Sequence, residues 1–239
     1  MGGLMPGIID SAASILFSSE KRVEAAGNNI ANAQTPAYKK QVSFSALLER
    51  DAPSFSLPDS LQSVDLSQGK LIPSGSPFDL AISGPGFLRL RDGDEIVYSR
   101  GGSFSIGAGG ALVDPGGRAL QSVSGGDVTV ESPDLEILGD GTVLERGLPV
   151  AAIGLFEAEP IEAMDAAGGS FFRIQEGAVR EAGMSTLRQG FLEQANVTTS
   201  DEMISMMAAL RQAESGSRLV RTYDQLIGQA ITTFSRRGQ

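Results

Sequence analysis

The chain has 239 residues, 41% hydrophobic and 20% charged, enough to bury a core in one or two folded domains and unlike a disordered polymer. With no cysteine and no histidine, it excludes disulfide frameworks, thiol nucleophiles, Cys/His zinc sites and histidine-based triads. A net charge of −10 argues against nucleic-acid partners, whose phosphates demand clustered lysine and arginine.

The first element read from the N-terminus is a helix over about Ile8 to Ala33, roughly 39 Å long at 1.5 Å per residue. Ile9, Leu16, Val23 and Ile30 recur every seven residues, and Ala12, Ser19, Ala26 and Ala33 form a second, small-residue row three positions on. Thr35-Pro36 stops the helix, because proline restrains the residue before it. Gly27 costs about 1 kcal/mol of helix propensity or marks a tight contact. This first apolar stretch contains Asp10 and lacks a basic flank, and no run reaches the length of a membrane span. The expectation is therefore no cleavable leader and no lipid insertion.

Residues 51–69 are polar, hold two prolines and show no period, so residues 34–69 read as a linker or an extended arm. From 70 to 186 the composition changes: 21 of the 30 glycines lie here, with seventeen acidic against eight basic side chains, while both ends of the chain are nearly neutral. Short alternating runs recur at Phe78–Ile82, Gly86–Leu90, Glu95–Tyr98, Ser103–Ile106, Asp127–Val130 and Leu148–Ile153. Asp92-Gly93 and Asp140-Gly141 suit hairpin turns that need positive dihedrals. This stretch predicts a mainly antiparallel β domain, with 187–199 as the connection back to the helical part.

The last element is a helix from about Ser200 to Phe234, with Met206, Ala213, Val220, Ile227 and Phe234 seven apart, and Thr199 with Glu202 as a capping box. The fold class expected is α+β: the N- and C-terminal helices, 1–33 with 200–239, pair as a coiled-coil stalk beside the central β domain. An ordinary helical pair covering one face of a domain is the competing reading of the same periodicity. The glycine distribution favours the stalk.

Signals of chemistry are weak. Gly84-Pro85-Gly86 begins like a phosphate loop, but no helix follows and the third glycine is missing, so it reads as a turn. Asp92 and Asp94 lack the later ligands of a calcium loop. The seventeen acids read as a solvated surface, although two of them converging as a glycosidase pair is not excluded by spacing. Lys39-Lys40 and Arg236-Arg237 read as solvated or locally paired charges. No catalytic residue, cofactor or metal is assigned.

One long motif, Ala26-Gly27-Asn28-Asn29-Ile30-Ala31-Asn32-Ala33-Gln34-Thr35-Pro36-Ala37-Tyr38-Lys39, resembles the N-terminal signature of bacterial flagellar axial proteins, the rod and hook family. The resemblance continues at Gly69–Ile82, Gly86–Leu88, Ser99–Phe104 and Gly190–Val197, and spans almost the whole chain. It is nearest to the proximal-rod members, with the distal-rod members next. Ala37 stands where the family commonly has glycine, and Gly27 where alanine or serine is common.

The resemblance implies a non-enzymatic structural subunit, with terminal helices building the inner core of a tube and the acidic β domain facing outward. It also implies export in an unfolded state by the flagellar export apparatus to a periplasm-spanning basal body, and assembly with other axial subunits of the rod. The expected assembly residues are Ile9, Leu16, Val23, Ile30, Met206, Ala213, Val220, Ile227 and Phe234, and the family-motif residues are Asn28, Asn29, Ala31, Asn32, Thr35 and Pro36. Asn28, Asn29 and Asn32 are expected either to cap the helix end or to reach a neighbouring subunit. The alternative class is a secreted acidic β-domain glycan binder or enzyme that uses the helices for dimerisation.

Overall fold

The computed structural model describes residues 6–43, 62–160 and 163–237. The chain forms two units: a helical unit of Met1–Ala31, Gln41–Ser63 and Val197–Gln239, and a β unit of Asn32–Lys40 and Val64–Asn196.

In the helical unit, α1 (Pro6–Ala31) starts at a proline, whose missing N–H is one the first turn cannot use anyway. It ends where Asn32 turns the chain: the Thr35 N–H donates to the Asn32 carbonyl at 2.9 Å, just before Pro36. The C-terminal helix α2 (Thr199–Arg237) runs 39 residues and is built mainly of good helix formers. Its first bonds run from the Asp201 and Glu202 N–H groups to the Thr198 carbonyl at 3.0 and 3.1 Å, and the acidic side chains in that turn suit the helix dipole.

The two helices lie antiparallel. Asn29 meets Glu202, Arg22 meets Gln212, and Gly216 faces Ile15 and Leu16. A Cβ added at Gly216 would come within 3.1 Å of Ile15 Cγ2, so the bare backbone sets the closest approach.

The paired coiled-coil stalk expected from the heptads is not what the structure shows, although the α+β class stands. Two helices accompany a large β-rich centre among the described residues, and the buried row consists of Ala12, Ser19 and Ala26 with Glu202, Ala209 and Gly216. Leu16, Val23, Ile30, Met206, Ala213, Val220 and Ile227 are only half-buried beside it. Knobs-into-holes packing requires large apolar side chains in the seam. Here Met203, Ile204, Met207, Leu210, Leu219 and Leu226 are instead exposed. Both rows have period seven, so period alone does not say which one faces the partner helix.

Residues read as a linker or arm contribute two short strands, Gln41–Ser43 and Gln62–Val64, which pair with each other; residues 44–61 lie outside the described ones.

The β unit is antiparallel in every strand pairing described. Its largest sheet runs in the order Met164–Gly168, Phe171–Ile174, Glu95–Ser99, Phe87–Asp92, Ala119–Leu120, Leu112–Val113, Ser105–Ile106, and Leu155–Ala158 joins it by pairing with Phe87–Asp92. The two central strands form the hairpin read from Asp92-Gly93: Asp92 pairs with Glu95, and Gly93 takes φ +62°.

Alternation along these strands splits the core. Leu88, Leu90 and Val97 point into the main apolar cluster with Leu80, Ile82 and Leu120, while Phe87 and Tyr98 join Phe156 and Phe172 on the opposite face. Asp127–Val130, expected as a strand, makes only single bridges. Val128 accepts from the Leu112 N–H and donates to the Leu120 carbonyl, so it crosses between two strands and follows neither.

Two smaller sheets close the unit with its last strands. Thr186–Gln189 pairs with Asp79–Ser83, which also pairs with Gly101–Ser103, and Phe191–Glu193 pairs with Leu71–Pro73. The chain thus returns to the first strands of the β unit just before α2 begins.

Candidate functional site

That return buries a cluster of charges. Glu193, on Phe191–Glu193, is fully enclosed together with Lys39. Its Oε1 accepts from Lys39 Nζ at 2.6 Å and from the Gly69 N–H at 2.8 Å, and its Oε2 accepts from Arg100 Nε at 3.3 Å. The remaining donors find carbonyls: Lys39 Nζ reaches Ser67 at 2.6 Å, and the Arg100 guanidinium reaches Gly86 at 2.5 Å and Gly84 at 2.6 Å. The Gly84-Pro85-Gly86 turn therefore presents its carbonyls to a guanidinium. Gly69 permits the approach, because a Cβ there would lie 1.9 Å from the Gln194 carbonyl oxygen.

Backbone and amide bonds extend the cluster. The Ala37 N–H donates to the Glu193 carbonyl at 2.8 Å, and Ala37 holds φ +62°, the left-handed conformation that glycine adopts freely and alanine resists. Asn196 accepts from the Lys40 N–H at 2.7 Å and donates to the Asp65 and Ser67 carbonyls.

Burial lowers the Lys39 ammonium below its ordinary 10.5, opposed by the bond and charge of Glu193. Burial also lowers the Arg100 guanidinium, with Glu193 again opposing. Asp65 is pushed up by burial, but the Ser67 bonds and the charges of Lys39 and Lys40 outweigh this and hold it below 3.8. Two buried cations thus share one carboxylate, and each charged arm is spent on a neighbour in the chain. The arrangement fastens residues 37–40, 65–69, 84–86, 100 and 193–196 to one another and leaves no group free for general acid, base or nucleophilic work.

The expected assembly residues are spread along α1 and α2. Leu16, Val23, Ile30, Met206, Ala213, Val220 and Ile227 line the half-buried flank of the helix pair, while the Ile9 and Phe234 side chains lie outside the described residues. Among the motif residues, Asn29 is buried: its Oδ1 accepts from the Gln41 N–H at 2.8 Å, and its Nδ2 donates to the Gln41 carbonyl at 2.8 Å and to Glu202 Oε2 at 2.9 Å. The side-chain amide thereby satisfies both backbone groups of Gln41 as a strand partner would. Exposed Asn28 reaches Gln41 Oε1 at 3.3 Å, and Asn32 Oδ1 accepts from Thr35 Oγ1 at 3.2 Å. Ala31 closes α1 exposed, and Pro36 is exposed too.

Sequence reading missed the Lys39–Glu193–Arg100 cluster, since its partners stand 154 and 93 positions apart. A signal was present all the same: Lys39, Arg100 and Glu193 each fall inside one of the motif blocks that carry the family resemblance.

Residues 188–233 match the family described as flagellar basal body rod FlgEFG protein C-terminal, and residues 81–145 match the flagellar hook protein FlgE/F/G D1 domain. The basal-body rod protein FlgG of Bacillus subtilis is 26% identical over 254 residues, covering 92% of this chain and 96% of the relative. The rod proteins FlgF of Caulobacter vibrioides and FlgF of Salmonella typhimurium are 25% and 28% identical, covering 90% and 87% of this chain and 93% and 90% of the relatives. Along nearly its whole length the chain is similar to proteins of the flagellar rod and hook family. The C-terminal match takes in Glu193, Asn196 and most of α2, and the D1 match takes in Arg100. FlgF and FlgG relatives stand at comparable identity.

Proposed function

We propose that this chain is a structural, non-enzymatic subunit of the flagellar basal-body rod, in the proximal rod, polymerising through its terminal helices into the drive shaft of flagellum-dependent motility. Its partners are other axial subunits, as a homo- and hetero-polymer, and it reaches the periplasm-spanning basal body through the flagellar export apparatus. The observation that carries the reading is similarity to rod proteins along nearly the whole chain, with 90% or more of each cited relative covered. The exposed apolar side chains of α2 support it, since Met203, Met207 and Leu210 fall on one face, away from α1, and exposed apolar groups of this size in a row mark a surface that a partner covers. Leu210→Asp alters a side chain that the chain itself leaves 53% exposed. It should leave the thermal melt of the purified protein unchanged while abolishing swimming and rod assembly. Val220→Asp, on the half-buried flank, should also abolish assembly by burying an unpaired charge. Normal swimming in both variants would overturn the proposal.

A further inference from the structure

The buried charge cluster lies where the β unit is closed by its last residues. Glu193 draws its partners from four other stretches: Lys39; Gly69 with Ser67; Arg100; and Gly84 with Gly86, the Ser67, Gly84 and Gly86 carbonyls holding the two cations. A carboxylate attracts two cations strongly only where water is shut out. Desolvating those cations is offset only when every carbonyl acceptor is already placed. Neither condition holds until the sheets carrying residues 71–103 have formed, and the pairing of Asp79–Ser83 and Leu71–Pro73 with Thr186–Gln189 and Phe191–Glu193 spans more than a hundred residues of loop.

We infer that Glu193 is a late-closing lock: the segment behind α1 and the segment ahead of α2 are fastened together in the β unit only after the rest of that unit is built. The chain stays unlatched at Lys39 and Arg100 until residue 193 has been delivered to them. Glu193 is a positioning residue here, acting on backbone segments and touching no ligand. The lock belongs to the chain itself and does not depend on its place in the rod.

The test is folding and unfolding kinetics of the full chain across a denaturant series, comparing wild type with Glu193→Gln. A contact absent from the transition state changes unfolding alone. The unfolding rate should rise on the order of 100-fold or more, with refolding unchanged within about threefold. Lys39→Met removes one of the two cations and keeps the Arg100–Glu193 pair. It should raise the unfolding rate less and again leave refolding unchanged, and it provides the reading if Glu193→Gln does not fold. Refolding slowed more than about tenfold in either variant would mean that the cluster nucleates the fold, and unchanged unfolding in both would mean that it locks nothing; either overturns the inference.

Discussion

Removing the Glu193 carboxylate should cost much more than removing the Lys39 ammonium, because the cluster holds two cations and one anion. Glu193→Gln keeps the volume and one carbonyl acceptor, but leaves Lys39 and Arg100 facing each other in a site where Lys39 and Glu193 are 0% exposed and Arg100 is 3% exposed. Breaking a buried pair by removing one partner costs about 3–5 kcal/mol. Lys39→Met fills the space of the lysine stem and leaves Glu193 still bonded to Arg100 and to the Gly69 N–H. It loses the Lys39 bonds to Glu193 Oε1 and to the Ser67 carbonyl, but each acceptor keeps another donor, Gly69 N–H and Asn196 respectively, so the cost is about 1–3 kcal/mol. Urea titration of the full chain would measure both. Tyr38 and Tyr98, two of the three tyrosines, are buried in the β unit, so tyrosine fluorescence reports mainly on it. With an m-value of about 2–3 kcal/mol/M, the Glu193→Gln midpoint should fall by about 1–2 M. Equal costs for the two variants, or less than about 1 kcal/mol for Glu193→Gln, would refute the charge-count reasoning.

Other outcomes follow from the same geometry. Burial holds Lys39 below 10.5 in the folded chain, so between its two pKa values the unfolded chain binds more protons, and this group's contribution to stability rises with pH. The stability of wild type relative to Lys39→Met should therefore increase from pH 7 toward about pH 10 in parallel urea titrations, and a flat or falling difference would contradict it. Asp65 is held below 3.8, so its stabilisation is present above that value and is lost as pH falls through the folded pKa; Asp65→Asn should flatten the acid limb of the stability profile. Ala37→Gly relieves the left-handed strain at φ +62° and should leave stability unchanged or raise it by up to about 1 kcal/mol, with a loss larger than that counting against the assignment.

The helices were legible because their signals are local. The seven-residue rows, Pro36 and the Thr199/Glu202 start signal place them to within a few residues of α1 and α2. The buried face was legible in part: Ala12, Ser19 and Ala26 read as a small-residue row that allows close helix approach, and they are buried, whereas the seam itself was assigned to the larger Leu16, Val23, Met206 and Val220, which are only half-buried, and Gly216 gave no signal of its own. The central hairpin was readable from Asp92-Gly93, whereas two-residue strands such as Leu112–Val113 and Ala119–Leu120 are too short to show a period. Lys39 beside Lys40 reads as a solvated or locally paired charge. Its burial depends on Glu193 and Ser67, which only the completed sheets bring to it.

Electron microscopy of basal bodies from a strain lacking this gene, beside the same strain carrying it on a plasmid, tests the rod assignment most directly. The account predicts basal bodies with an absent or truncated rod, restored by the plasmid. Rods that stop at the proximal segment would place the subunit in the distal rod instead, and intact rods and hooks in the deletion strain would contradict the assignment.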